Sequence, residues 1–387
     1  MSLFFITDAR FLQTPDGKIY SGEFSFSNIL WERYIKCFSK VYVIGRVFKV
    51  DSFDNENHLV SNVTILPTTP FETATSFLKN KVKIKTQVDN YFNNYEPQAV
   101  ILRGAGSLGY LAAKYCTTKN ISYGIEVVGD PYDVFAPGVI KHPLRFLFRR
   151  LFTYYQKEAV KNASSVIYVT KDKLQQRYPS NKNAFQTYAS DVVINDIVQK
   201  AKVLVTKDVY RIISVGSLDQ MYKGPDVLLK AIKILIDNNV KVTLTWLGHG
   251  QYLEEIIRLS ADLKISEYVD FKGSVDAVTL TKNLDESDVF VLASRTEGLP
   301  RAIVEAMARA LPCIGSDVGG IPELVNNELV VISENSSQIA ERIELLLKNE
   351  NFYNKMSSYS LEKSSEFRQD ILEERRLSFF KSLQKQA

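Results

Sequence analysis

A chain of 387 residues, 45% hydrophobic and 24% charged, is long enough for two ordinary domains. Its three scattered cysteines give neither a disulfide framework nor a CxxC, which suits a reducing cytoplasm, and three histidines supply no histidine–cysteine metal cluster. No window, the start MSLFFITDARF included, has the apolar length of a signal peptide or membrane span, and the net charge of +4 hides a basic first half: residues 1–200 carry 25 Lys+Arg against 17 Asp+Glu, the rest 23 against 27.

LFFI (3–6) reads as a buried first strand ending at Thr7 and Asp8, followed by a PDG turn (15–17). A loop containing Ser21 and Gly22 leads into the helical run ILWERYIKCF (29–38) and the strand VYVI (41–44). AVIL (99–102) is another strand. It opens onto RGAGSLG (103–109), read as a close strand-to-helix turn or a phosphate nest. YGIEVV (123–128) runs into GDPYD (129–133), where Asp130 is either a turn residue before Pro131 or a polar group for a substrate. Residues 141–161 carry six basic side chains and one acidic, with Leu, Phe and Tyr at helical spacing. That is the composition of an interfacial helix, so Arg145, Phe146, Phe148, Arg149, Arg150 and Phe152 are candidates for contact with an anionic membrane. No nucleic-acid-reading module accompanies the basic stretch. SVIYV (165–169) and a helix follow, then a linker near 186–208 where the periodicity weakens.

The second half alternates strand and helix, which argues for a parallel, doubly wound α/β sheet with its ligand at the strands' carboxyl ends. RIISV (211–215) opens onto GSLDQMYKGPD (216–226); VTLTWL (242–247) ends at Gly248; VDFKG (269–273) and VFVLA (289–293) follow. The latter delivers SRTEGLPRAIVEAMARALPCIGSDVGGIPEL (294–324), which reads as a turn, a helix opening at Pro300, a buried strand and a second glycine-rich turn. Glu297 precedes that helix and Glu305 lies within it, so the carboxylates stand roughly 10 Å apart. This is too far for a retaining glycosidase pair. It fits an extended ligand whose negative middle rests over the helix N-terminus.

The E-x7-E of Glu297 and Glu305, set in EGLPRAIVEAMA (297–308) and followed by GGIPE (319–323), resembles that of retaining glycosyltransferases of family four, which have the GT-B fold. The resemblance covers 205–345 strongly and the first half in outline. It implies two Rossmann-like doubly wound domains facing an interdomain cleft. Residues 1–190 would be the acceptor domain, with a last helix at about 365–387 packing back on it, and 205–364 the donor domain. It implies that Glu297 holds the donor sugar, that Glu305 bonds the nucleotide ribose, and that the backbone of Gly298, Leu299 and Pro300 cradles sugar and diphosphate. Lys223 keeps the second of two phosphate-binding cations after Gly216. The first is Ser217 here, with Arg301 as candidate replacement. Lys272 and Val275 would meet the base through their backbone, and Ser21 and Gly22 the donor phosphates. Asp130 stands where the family often has a histidine near the reacting sugar.

The expectation is a metal-independent hexosyltransferase-type enzyme that moves a sugar, with retention, from a UDP- or GDP-type donor to a lipid-linked or oligosaccharide acceptor. No further cofactor is expected and no nucleic acid partner. The expected setting is polysaccharide (capsule or O-antigen) biosynthesis, peripheral on the inner face of the plasma membrane. A GT-B nucleotide-sugar epimerase and a non-catalytic membrane-associated scaffold are the alternatives.

Overall fold

The computed structural model describes residues 1–53, 55–136, 139, 142–194 and 196–386, so Lys141, the first cation of the basic stretch, lies outside the described residues. The first elements are β1 (Ser2–Gln13), β2 (Ile19–Ser21), α1 (Asn28–Ile35), β3 (Lys40–Lys49), β4 (Thr64–Thr68), α2 (Ala74–Tyr95), β5 (Ala99–Arg103), α3 (Ser107–Lys119) and β6 (Gly124–Val127). Then come α4 (Pro131–Val134), α5 (Arg145–Asn162), β7 (Ser165–Tyr168), α6 (Lys173–Arg177) and β8 (Phe185–Tyr188). The second half gives β9 (Tyr210–Val215), α7 (Pro225–Asp237), β10 (Val242–Leu247), α8 (Leu253–Asp262), β11 (Val269–Gly273), α9 (Ala277–Glu286) and β12 (Val289–Leu292). It closes with α10 (Arg301–Ala308), β13 (Cys313–Ser316), α11 (Ile321–Leu324), β14 (Val330–Val331), α12 (Ser336–Lys348), α13 (Glu350–Ser364) and α14 (Gln369–Gln384).

The chain divides into two compact units. Unit 2 takes Asp133–Pro143 and Ser190–Glu373. Its strands run in the order β11-β10-β9-β12-β13-β14, every pairing parallel. The chain steps outward from β9 on one side, then returns to β12 on the other. Between β9 and β12 the order reverses, the point at which open parallel sheets place their ligands, and the loops leaving their carboxyl ends come side by side. Every residue of β12 is buried, as expected of a strand covered on both faces.

Unit 1 takes Met1–Tyr132, Leu144–Ala189 and Glu374–Ala387. Its sheet runs β4-β3-β1-β5-β6-β7-β8, parallel except where β2 pairs antiparallel with β1. The end of α14 packs directly on β6: a Cβ at Gly124 would lie 2.8 Å from Phe379 and 2.9 Å from Leu383. Phe380 meets Tyr34 and Phe38 with ring centroids 5.4 and 5.8 Å apart.

Four expectations need correction here. β1 does not stop at Asp8 but continues to Gln13, through a register shift against β3 between Ile6 and Arg10. The buried Phe11 and Leu12 keep it in the sheet. Ser21 therefore ends β2 instead of lying in a loop after a short first strand. The region read as linker begins with β8, an edge strand too short to show periodicity. Finally, Phe148 and Phe152 face inward on α5 and are buried, so they cannot contact a membrane. Phe146 remains exposed, while Arg149 lies with its guanidinium carbon 3.4 Å from the Tyr132 ring centroid and donates to the Tyr132 carbonyl at 2.6 Å.

The glycines of 103–109 make a tight turn around an internal anion. Asp8 accepts from the Ser107 amide at 2.5 Å and the Leu108 amide at 2.8 Å, filling the N-terminus of α3. A Cβ at Gly106 would lie 2.1 Å from Asp8 Oδ2. Burial raises the Asp8 pKa above its usual range, while Arg46 and the two amides work in the opposite direction. Replacing Asp8 with Ala should lower the unfolding free energy by about 1–3 kcal/mol, the cost of leaving buried donors unmet. Urea denaturation with an unchanged midpoint would show that water serves those amides equally well.

Candidate functional site

A gathering of chemistry-bearing side chains in unit 2 lies at the reversal between β9 and β12. The loop after β9 ends in a 3-10 turn (Met221–Lys223) and Gly224, whose φ of 65° lets the chain enter α7 at Pro225. A Cβ at Gly224 would lie 2.0 Å from the Ala293 carbonyl oxygen, so only glycine lets this loop sit against the end of β12. Gly216 bears the Lys223 stem, since a Cβ there would lie 2.9 Å from Lys223 Cγ. Gly248 donates its amide to Gly273, and a Cβ on it would lie 2.0 Å from the Gly216 carbonyl oxygen.

Lys223 Nζ lies 2.6 Å from Glu297 Oε1, with both side chains largely buried. Ser294 Oγ donates to the same oxygen at 2.6 Å. Burial disfavours the Lys223 ammonium, but Glu297 and then Tyr222 more than offset it, so its pKa lies above the ordinary lysine value. Arg295 binds the two loops together. It donates to the Met221 carbonyl at 2.6 Å, to both oxygens of Asp226 at 3.0 and 2.9 Å, and to Glu334 at 2.7 Å. Its own amide donates to the Tyr222 carbonyl at 2.6 Å. On the far side, Gly320 donates to the Gly298 carbonyl at 2.7 Å, and a Cβ at Gly319 would lie 1.9 Å from the Glu297 carbonyl oxygen.

Helix α10 starts at Arg301, one residue later than expected, because Pro300 is extended (ψ 113°) and stands as its N-cap. No side chain caps this helix, and its first turn holds no acid. Arg301 is exposed, and its charge reaches both Lys223 and Glu305. Burial raises the Glu305 pKa above the ordinary carboxylate value, with Arg301 opposing it. Ser217 does not replace a cation: it is exposed, and its hydroxyl donates to Asp219 at 2.7 Å.

The structure thus brings Lys223, Glu297, Gly216, Gly248, Gly298, Leu299, Pro300, Arg301 and Glu305 to one end of this sheet. Lys272 sits on the edge strand and donates to Asn283 Oδ1 at 2.7 Å; Val275 lies half-buried in the loop before α9. The remaining candidates belong to unit 1. Ser21 is buried and its hydroxyl donates to the Glu23 carbonyl, while Gly22 donates to Arg10 at 2.7 Å. Asp130 is buried with each oxygen engaged: Oδ2 pairs with Arg177, and Oδ1 accepts from Tyr178 at 2.5 Å and from the Tyr132 amide at 2.9 Å. Burial, then the Asp130 charge, pushes the Tyr178 phenol well up. Sequence reading missed Ser294 and Arg295. The first was visible as a hydroxyl three residues before Glu297, whereas nothing local marks Asp226 as the partner of Arg295.

Among the described residues no group of three His, Cys, Asp or Glu side chains gathers to hold a metal ion, and no helix is long and apolar enough to cross a membrane.

A sequence profile described as "Glycosyl transferases group 1" matches residues 195–363, a span that contains this whole constellation. Protein CapJ of Staphylococcus aureus is 29% identical over 339 residues, 85% of this chain and 82% of that protein. The crystal structure of HepE from Anabaena in complex with UDP superposes with a TM-score of 0.68 at 15% identity, covering 99% of this chain and 100% of that one. Residues 195–363 are thus a group 1 glycosyltransferase region, set in a chain of GT-B fold. The amylovoran biosynthesis glycosyltransferase AmsK of Erwinia amylovora is 34% identical to this glycosyltransferase over 125 residues, 31% of this chain and 30% of AmsK.

In this glycosyltransferase the raised Glu305 pKa fixes the sign of one pH effect. The unfolded chain gives up this proton first, so Glu305 makes stability fall as pH rises from the ordinary carboxylate value through its own raised one. Glu305→Gln should therefore unfold at a higher temperature than the parent at neutral pH. The difference should vanish in acid, below the ordinary carboxylate value. An equal gap at both pH values would detach the effect from this carboxyl.

Proposed function

We propose that this glycosyltransferase moves a sugar, with retention, from a nucleotide-diphosphate sugar bound by unit 2 to a lipid-linked glycan acceptor bound by unit 1. The observation that carries the reading is the buried Lys223–Glu297 pair beside the uncapped start of α10. It sets a cation, a carboxylate and a helix N-terminus at the reversal of the strand order, where a diphosphate flanked by two hydroxyl-rich groups would rest. Glu297 would hold the sugar's hydroxyls and Glu305 the ribose, as hydrogen-bond acceptors. Lys223, Arg301 and the amides of Gly298 and Leu299 would stabilise charge on the departing diphosphate. The acceptor oxygen bonds to the anomeric carbon as the bond to phosphate breaks, and the acceptor proton passes to the leaving phosphate. No metal is assigned a part in this reading.

UDP in the HepE complex supports a nucleotide-diphosphate donor and makes uridine the base to test first. AmsK's role in amylovoran biosynthesis supports a polysaccharide setting. The exposed Phe146, Leu147 and Arg150 of α5 support a lipid-linked acceptor met at an anionic inner membrane face.

Thermal unfolding with UDP, GDP, CDP or ADP, in the presence of EDTA, tests the donor site. A nucleotide at a hundred times its dissociation constant should add about 2.7 kcal/mol of stability. UDP should give the largest shift, and Glu305→Ala should weaken its binding by about 1–3 kcal/mol. Unchanged UDP affinity in that variant would remove Glu305 from the site, and no shift with any nucleotide would sink the donor assignment.

A further inference from the structure

Helices α3 and α5 of unit 1 pack side by side, and a groove of about 270 Å³ runs between them on their solvent side. Both helices lead from the carboxyl edge of the parallel strands towards the amino edge, α3 after β5 and α5 before β7. The groove therefore descends away from the edge where open parallel sheets place their reacting ligands. From Tyr110 to Thr118 on α3 it is roughly 12 Å long, at the helical rise per residue. Its volume is close to the lower end for small-molecule sites, about 300–1,000 Å³.

The walls are ridges of residues one helical turn apart. Tyr110 on α3 and Tyr154 on α5 stand at the upper end, their ring centroids 6.4 Å apart. Lys114 and Glu158 follow a turn below, then Thr118 and Asn162. Beneath them lie the buried Ala113 and Ala159, whose short side chains leave the space unfilled, and Tyr123, whose hydroxyl donates to the Ala159 carbonyl at 2.8 Å. The upper wall is held in place. Tyr110 stacks 3.7 Å from the buried Tyr155, and the Tyr155 hydroxyl accepts from Lys81 at 3.0 Å. Tyr154 is 51% exposed.

Lys114 and Glu158 carry opposite charges on the two walls, yet neither has an ion-pair partner among the described residues. The Glu158 charge reaches both Tyr110 and Tyr123, which sets it over the groove. A space kept open between opposite charges, beside an exposed aromatic ring, suits a hydroxyl-rich ring. One C–H face of a sugar covers the tyrosine, one hydroxyl donates to the carboxylate, and a neighbouring hydroxyl accepts from the ammonium. With one charge of each sign, this part of the groove favours neither a polyanion nor a polycation. An apolar partner would strip water from both charges without pairing them.

We propose that the groove between α3 and α5 is a glycan-binding site apart from the reacting centre, with Tyr154 as stacking platform and Lys114 and Glu158 as hydrogen-bonding partners for one or two neutral sugar rings. The choice of ligand rests on the reading of this chain as an enzyme of polysaccharide synthesis. The groove would hold a stretch of glycan remote from the sugar being added.

Saturation-transfer difference NMR on the full chain tests this, with maltose, cellobiose, lactose and N,N′-diacetylchitobiose as probes and a chondroitin sulfate disaccharide for comparison. At least one neutral disaccharide should receive saturation, with UDP present or absent. Glu158→Gln should weaken that binding about tenfold, as loss of a hydrogen bond to a charge implies. Tyr154→Ala should remove the signal, and Tyr154→Phe, which retains the ring, should keep it. Unchanged circular dichroism and an unchanged thermal shift with UDP would show that fold and donor site are intact in each variant.

No saturation of any neutral disaccharide would overturn the proposal. Saturation that survives both Tyr154→Ala and Glu158→Gln would overturn it too, by placing the glycan elsewhere. Saturation confined to the sulfated disaccharide and lost in Lys114→Gln would mark an anion site in its place. If UDP gives the parent no thermal shift while Tyr154-dependent saturation persists, the donor reading falls and the groove stands.

Discussion

A buried ion pair is an expensive device, and unit 2 of this chain is arranged so that one can exist. Lys223 and Glu297 stand 74 residues apart in sequence and meet at 2.6 Å. Two charges withdrawn from water gain little on balance unless their geometry is fixed and their remaining bonding capacity is met. Here the strand order puts the two loops side by side, Ser294 supplies a further donor to Glu297, and Arg295 holds the loops together through Asp226. Glycines at 224 and 319 remove the side chains that would force the backbones apart. Each is a condition for the pair.

The two units treat the same physical resource, the N-terminus of a helix after a parallel strand, in opposite ways. In α3 the free amides are taken by Asp8, an acid of the same unit, and the surrounding glycines serve to bring that carboxylate close. In α10 no side chain caps the first turn, and Arg301 stands there, where the helix dipole favours an anion. Glycine-rich strand-to-helix turns look alike in sequence. What separates them is whether the chain provides its own anion, and that depends on a residue about a hundred positions away.

This is also the limit of what the sequence disclosed. The doubly wound architecture, the buried strands and the stretch from Ser294 to Leu324 were legible, because alternation, apolar runs and a dense motif are local properties. Asp226 as the partner of Arg295 was not, since no local pattern links residues 69 positions apart. The basic helix α5 was found, but with Phe148 and Phe152 on the wrong side, since composition does not say which face a neighbour will cover. The groove between α3 and α5 escaped notice altogether: its walls come from segments far apart in sequence, and only the packed helices bring Tyr110 and Tyr154 to one end of it. β1 outran its expected end because a long strand with a register shift reads as a strand followed by a loop.

The return of α14 to β6 has a consequence for how the molecule comes into being. Unit 1 is assembled from both ends of the polypeptide, with Phe379, Phe380 and Leu383 filling the ground around Tyr34, Phe38 and Gly124. On the ribosome its first 189 residues emerge long before the segment that seals them, and must wait with that apolar seat open while unit 2 is made. Synthesis order and completion order are thus reversed. Any cut before residue 374 separates the first-made unit from its own last layer.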